Sequence, residues 1–303
     1  MNRPIMVSAM ILALAAGISC EGRETHTVTD RAGRRVTLSG PVERIVSTAP
    51  SNTEIIAALG MAHALVAIDR HSANVPGVPA SIPLLDFFFP DAEVILGTRP
   101  DLIIASGHNP TGAGDDPFRL LGEAGVPAVY IPMSASIADI LADIAFIADI
   151  LGVPDRGDEV IRTMTEEIAL VEAMAARVVS PRSVYFEISP PPDMMTFGHG
   201  SFIDDMIRTI GAVNIFGGES WLVSPGAEAV IMRNPDVILT NVSWADDPVG
   251  EMKGRPGFGH IAAVAGGRVF LIDNDSSVRA SPGIILALRQ MMRAVYPEFY
   301  EER

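Results

Sequence analysis

Apolar positions recur at helical spacing through the middle of this 303-residue chain, in two adjoining runs. Ser136 supplies an N-cap, and Ile137, Ile140, Leu141, Ile144, Ile147, Ala148 and Leu151 follow at steps of three and four until Gly152 closes the run. Pro154 then stands where the first turn of a helix tolerates proline, and Ile161, Met164, Ile168, Val171, Ala175 and Val178 continue the alternation. Asp158, Glu159, Arg162, Glu166, Glu167, Glu172 and Arg177 fall off that stripe. The second run predicts a rod of about 25 residues, about 37 Å long at ~1.5 Å per residue. A rod of that length spans a small domain and can join two lobes.

The flanks alternate short apolar runs with helical patterns. Ahead of the rod, His26 to Leu38 reads as a hairpin turning on Asp30-Arg31-Ala32-Gly33. Strands are expected at 44–48, 65–68, 102–105 and 128–131, with helices at 91–97 and 116–124. Ser51-Asn52-Thr53-Glu54 has the spacing of a capping box and opens a helix closed by Gly60. Behind the rod, strands are expected at 183–188, 237–240 and 268–272, and helices at 201–210, 228–233 and 282–295. The order predicts an α/β protein of two Rossmann-like lobes with mostly parallel sheets, joined by one long rigid helix. The expected division is an export signal at 1–20, an N-terminal lobe at 27–152, the connecting helix at 153–180 and a C-terminal lobe at 181–303. A repeat supports two related lobes: the segment from Glu93 through Pro100-Asp101 to Ile104 matches, position for position, the segment from Glu228 through Pro235-Asp236 to Leu239.

Composition narrows the picture. With 22 basic and 37 acidic residues the chain has a formal charge of −15, which argues against a nucleic-acid groove. Residues 1–19 combine a positive start at Arg3, an apolar run from Ile5 to Ala16 and small residues before Cys20, as an export signal does. Cys20 is the only cysteine, so no disulfide framework exists, and its position is that of a lipidated N-terminus. Gly17 stands where such signals usually carry leucine, so ordinary cleavage after Ser19 is the alternative. The expected location is the periplasm or cell envelope, with a lipid anchor through Cys20.

Ligands of open α/β lobes bind beyond the carboxyl ends of the strands, so two facing lobes form a cleft walled by strand-end loops. Here the chain resembles the substrate-binding proteins of ABC importers for iron chelates, haem and cobalamin, the type with one long interdomain helix. The resemblance is carried by Arg44-Ile45-Val46-Ser47, the helix from Ser51 to Gly60, both Glu to Pro-Asp repeats, Gly211-Ala212-Val213-Asn214-Ile215-Phe216 and the segment from Ser281 to Leu288, and it covers about residue 27 to the end. It implies that one exposed glutamate per lobe, Glu93 and Glu228, docks on the permease, which works with an ATPase at the membrane. It also implies a small metal complex as ligand, no intrinsic cofactor and a monomeric protein.

The expected cleft loops hold Arg70, His71, Phe88, His108, Phe197, His199, Trp221 and Arg279 as candidate ligand-binding residues. Aromatic faces suit a bulky chelate, and arginines suit carboxylates on it. His71 is a candidate axial ligand to iron or cobalt. Trp244 is expected to pack within its lobe. The favoured cargo is a ferric siderophore or corrinoid, with haem, or zinc or manganese bound directly by His71, His108, His199 and Asp273 or Asp275, as alternatives. No Gly-x-Ser-x-Gly elbow, Walker loop or His-Glu-x-x-His helix occurs, so an exported enzyme is the reading with least support. A rigid connection further predicts limited lobe closure on binding.

Overall fold

A computed structural model describes residues 25–109 and 116–301 of the chain; the readings of residues 1–20, including Cys20, lie outside the described residues. An antiparallel hairpin of β1 (Thr25–Thr29) and β2 (Arg35–Ser39) comes first. Its turn is fixed by the buried Asp30 carboxylate, which accepts from the N–H groups of Ala32, Arg34 and Tyr130. Next come β3 (Ile45–Ser47), β4 (Leu65–Asp69), β5 (Leu84–Leu85), β6 (Leu102–Ser106) and β7 (Ala128–Ile131), forming a parallel sheet ordered β5-β4-β3-β6-β7. Helices α1 (Pro50–Ala58), α2 (Ala92–Gly97) and α3 (Arg119–Glu123) lie between its strands in sequence.

After α4 (Ile137–Ile150) and α5 (Pro154–Ala175) the chain builds a second sheet. Its strands are β8 (Ser183–Glu187), β10 (Val213–Asn214), β12 (Val237–Thr240) and β13 (Val269–Leu271), parallel and ordered β10-β8-β12-β13. A separate antiparallel ribbon pairs β9 (Thr196–Phe197) with β11 (Leu222–Val223). The helices of this lobe include α6 (Phe202–Thr209), α7 (Ala227–Arg233), α8 (Pro248–Gly254), α9 (Ala262–Ala265), α10 (Asn274–Val278) and α11 (Ile284–Val295). The architecture is α/β with mostly parallel sheets, as the sequence pattern predicts.

Both faces of each sheet are covered, which is why the central strands read as continuous apolar runs with polar residues at their ends rather than as an alternation. In β6, Leu102 and Ile104 join one core cluster while Ile103 and Ala105 join another. In β8, Val184 and Phe186 face one way and Tyr185 the other. One cluster runs through both lobes: Ile104 of the first sheet and Leu239 of the second belong to the same apolar body, with Ile144 and Ile147 of α4, Met164 and Ile168 of α5, and Leu288 and Met291 of α11 between them.

This continuity changes the expected picture of the connection. The second run forms a 22-residue helix, about 33 Å long, that ends at Ala175 rather than continuing through Val178. It does not act as a lone rod. A Cβ added at Gly157 would lie 2.5 Å from the Cβ of Ala148, so α4 and α5 approach closely only because this position is glycine. The N-terminal end of α4 in turn meets the second lobe, where Asp205 accepts from the Ile137 N–H at 2.9 Å. The lobes are joined by shared core.

Three local expectations are corrected. α1 begins at Pro50 with Ala49 as a cap that makes no side-chain bond, so the predicted capping box is absent. Glu54 does not reach back to Ser51 because its carboxylate is held by Arg279 and Ser281 of the other lobe. Ser276, Ser277 and Val278, expected with Arg279 in a cleft loop, lie in α10, because Asp273 caps the helix by accepting from the Ser276 N–H at 2.8 Å. Trp244, expected to pack within its lobe, is 65% exposed.

Candidate functional site

The carboxyl ends of both sheets open on a cleft. One cavity of ≈ 450 Å³ is lined from the first lobe by Ser51, Arg70, His71, Asn74, Phe87 and His108, and from the second by Asn274, Asp275, Val278 and Arg279. A narrower hollow of ≈ 100 Å³ adjoins it, sharing Ser51, His108 and Val278 and adding Asn52, Ser106, Met133, Phe197 and Trp221. A larger hollow of ≈ 670 Å³ lies along α5 beside the end of α1 and α11. It has no aromatic lining and does not sit at strand ends, so the cleft is the better candidate for a ligand of this fold.

The first-lobe wall is built from the ends of β3, β4 and β6. Asp69, at the end of β4, accepts from the His71 N–H at 2.8 Å and from the Ser72 hydroxyl; the Ser72 oxygen lies 2.9 Å from the Thr53 hydroxyl, which lies 2.8 Å from that of Ser47. This chain of buried hydroxyls pins the His71 loop to α1. Burial pushes the Asp69 carboxyl above its ordinary range, and the bonds from Ser72 and His71 offset part of that rise.

Beyond β6, Asn109 acts as a staple. Its Oδ1 accepts from the Thr48 hydroxyl at 2.6 Å and the Ser106 N–H at 3.1 Å, while its Nδ2 donates to the Phe87 carbonyl at 2.9 Å. Asp86 accepts from the N–H groups of Phe88 and Phe89, both at 3.0 Å. Those two backbone bonds hold the Asp86 carboxyl below its ordinary range.

The result is a fixed aromatic turn in which Phe87, not Phe88, faces the cleft. Its ring lies 5.6 Å from that of His71 and 4.9 Å from that of His108, so one phenyl stands between two imidazoles. Desolvation by the surrounding protein lowers the His108 pKa and favours its neutral ring, the form with an electron pair to donate.

The opposite wall is aromatic. Phe197 and Trp221 meet edge to face at 5.5 Å across the β9–β11 ribbon. Trp221 has φ +52°, a conformation that costs a bulky residue about 1 kcal/mol or more. Two backbone bonds hold it there: its N–H donates to the His199 carbonyl at 2.8 Å, and its carbonyl accepts from Gly198 at 2.6 Å. Gly198 is required for this approach, since a Cβ there would lie 2.1 Å from the Glu219 carbonyl oxygen.

Below this wall, buried Glu187 receives Arg255 at 2.6 and 2.9 Å, tying the end of β8 to the chain just past α8. Burial raises the Glu187 pKa, and the bonds and charge of Arg255 offset part of the rise.

Of the residues singled out from sequence, the structure gathers Arg70, His71, His108, Phe197, Trp221 and Arg279 around the cleft. Phe88 is 53% exposed and touches the cleft only through Phe87, its ring 4.9 Å away. The exposed His199 side chain lines neither hollow, and its backbone supports Trp221. Glu93 and Glu228 are exposed in the first turns of α2 and α7, away from the cleft lining. Among the described residues, no three His, Cys, Asp or Glu side chains group so as to hold a bare metal ion.

Sequence reasoning missed Phe87 as the inward ring, Asn109 as the staple, and Glu54, Asn74 and Asp275 as partners of Arg279. The turn residue Asp86 ahead of three phenylalanines was the available signal for the first. Glu54 and Asn74 lie 225 and 205 residues from Arg279 and leave no local trace, whereas Asp275 stands four residues before it, an i,i+4 pairing that the sequence did carry.

Two parallel sheets with a cleft at their carboxyl ends, bridged by a shared helical core, define a two-lobed binding protein. The sequence pattern of the periplasmic binding protein family matches residues 45–276, and the chain belongs to that family of transport binding proteins, the substrate-binding components of ABC transporters. It is 26% identical over 278 residues, 91% of this chain and 87% of the relative, to the uncharacterized ABC transporter substrate-binding lipoprotein YvrC of Bacillus subtilis. It is also 26% identical over 255 residues to the vitamin B12-binding protein of Vibrio cholerae, covering 83% of this chain and 88% of that one. Among solved structures, the periplasmic heme-binding protein RhuT of Roseiflexus sp. RS-1 superposes with a TM-score of 0.75 at 27% identity, covering 84% of this chain and 98% of that one.

Proposed function

We propose that this protein captures a metal chelate, a ferric siderophore or a corrinoid, in the interlobe cleft and delivers it to its ABC permease and ATPase. One observation carries the reading: the cleft walls at both sets of strand ends are faced with aromatic and imidazole rings, Phe87, His71 and His108 against Phe197 and Trp221. Flat rings suit the broad apolar face of a chelate, and hydroxyls and amides at their edges suit its polar rim. The relatives named for vitamin B12 and heme binding support a ligand of this kind.

In this reading Glu93 and Glu228 are the permease contacts. Each is exposed, one lies on each lobe, and charges so placed register a partner without being buried. Cys20 anchors the chain to the membrane face through lipid, in keeping with the lipoprotein relative, and the protein works outside the cytoplasm. Release comes from the permease prying the lobes, because the shared core resists wide spontaneous opening.

A visible absorption titration of the purified domain with cyanocobalamin, haemin and a panel of ferric siderophores tests the reading. A saturable spectral change with one chelate is expected. Loss of that change in His108→Ala or His71→Ala identifies the imidazole that reaches the metal. No response to any chelate, with thermal stabilisation by zinc or manganese instead, contradicts it.

A further inference from the structure

The cleft's two arginines are already engaged by carboxylates of this chain. Arg279 is 9% exposed, and its guanidinium lies 2.7 Å from Glu54 of the facing lobe and 2.8 Å from Asp275. It also donates to the His71 carbonyl and to the Asn74 side chain, each at 3.1 Å. Both terminal nitrogens of this planar donor are therefore engaged. Arg70, on the rim, pairs with Asp86 at 3.2 Å.

The remaining sources of positive charge are few. The chain has one lysine, Lys253, which sits on α8 and lines neither hollow. Residues 110–115, which follow His108 and Asn109, are Pro-Thr-Gly-Ala-Gly-Asp in sequence and bring no basic group. Against two arginines stand Glu54, Asp86 and Asp275, so the local balance is acidic even though the cleft holds buried guanidinium. The low pKa of His108 removes a further candidate cation.

An anionic chelate entering this cleft would have to displace Glu54 or Asp275 from Arg279 and would meet the carboxylate it displaced. A neutral or cationic chelate meets no such competition: its rings stack on Phe87, Phe197 and Trp221, and its amides or hydroxyls meet Ser51, Ser106 and Asn274. We infer that Glu54 and Asp275 mask Arg279 so that the cleft selects metal chelates without net negative charge, neutral corrinoids and ferric hydroxamates over ferric catecholates and dicarboxylate tetrapyrroles. The inference rests on the chelate-binding reading above and sharpens it to a ligand class.

The test compares four probes on the wild-type protein by equilibrium binding: cyanocobalamin, ferrioxamine B, a ferric tris(catecholate) siderophore and haemin. At least one of the first two should bind at least about tenfold more tightly than either anion. Raising the salt concentration should strengthen whatever binding the anions show, because repulsion is screened, and leave the neutral probe unchanged. Glu54→Gln keeps a side chain that can still accept from Ser281 while removing one carboxylate from Arg279. In that variant, anion affinity should rise about tenfold and neutral-chelate affinity should move by less than about threefold.

Preference of the wild-type protein for either anion, or anion binding that weakens with salt, overturns the inference and leaves the chelate-binding reading standing. An unaltered anion affinity in correctly folded Glu54→Gln likewise overturns it. Failure of all four probes to bind overturns both.

Discussion

The two lobes are built on one repeated segment, and comparing the copies separates scaffold from function. Just before the shared proline, Arg99 and Asn234 both take positive φ, +49° and +45°. The aspartate after the proline then does the same work twice. Asp101 accepts from the N–H groups of Glu43 and Arg44 at 3.1 and 3.0 Å, and Asp236 accepts from the Ser183 N–H at 2.8 Å. Each aspartate returns a backbone bond, Asp101 to the Arg44 carbonyl and Asp236 to that of Ser183.

So the repeated spacing within the chain pins the entry of an inner strand of each sheet, β3 and β8, at the end remote from the cleft. The copies diverge elsewhere. α2 is capped by the Asp91 side chain, whereas α7 starts at Gly226 with no side-chain cap. At the strand exits one lobe offers imidazoles and hydroxyls, and the other an aromatic ribbon over a buried Glu187–Arg255 pair. Duplication specifies how the sheets begin, and the chemistry lies where they end.

The largest expected effect concerns the one feature proposed to be functional in both copies. Glu93→Ala and Glu228→Ala, singly and together, should lower transport in cells by about tenfold or more while leaving chelate affinity in the cleft intact. A strong effect from only one would show that the rims are not equivalent. Next, Asp101→Ala and Asp236→Ala should each destabilise the protein by about 1–3 kcal/mol in denaturant melts, since each leaves strand-entry N–H groups without their carboxylate. Similar values support the shared staple, and a marked inequality breaks it.

A smaller effect distinguishes the exits. With the His108 pKa lowered in the folded state, the unfolded chain takes up a proton first as pH falls below about 6.5. His108 therefore contributes stability above that pH that is lost on acidification, and His108→Gln should flatten this part of the stability profile. A steeper profile in the variant would reverse the assigned sign.

What could be read from the sequence follows from the range of the interactions. The stripes on α4 and α5, the alternation of strands and helices, and the repeat around Pro100 and Pro235 are local, and each is visible in a dozen residues. Glu54 shows the limit. Its spacing from Ser51 fits a capping box, but a partner 225 residues away, Arg279, holds its carboxylate instead. The triplet Phe87-Phe88-Phe89 is similar: three identical residues cannot show which ring turns inward, and Asp86 and Asn109 decide it through backbone bonds. Trp244 is a third case, an apolar residue whose surroundings, not its chemistry, leave it exposed.

The central claim, that ligand sits between the two lobes against the aromatic ribbon, is tested most directly by fluorescence. The chain has two tryptophans, half-buried Trp221 in the cleft and exposed Trp244 outside it. Trp244→Phe leaves Trp221 as the sole reporter, and titration with a chelate shown to bind by equilibrium dialysis should quench its emission saturably, at the same midpoint as binding. Full chelate binding with Trp221 emission unchanged would place the ligand elsewhere and contradict the account.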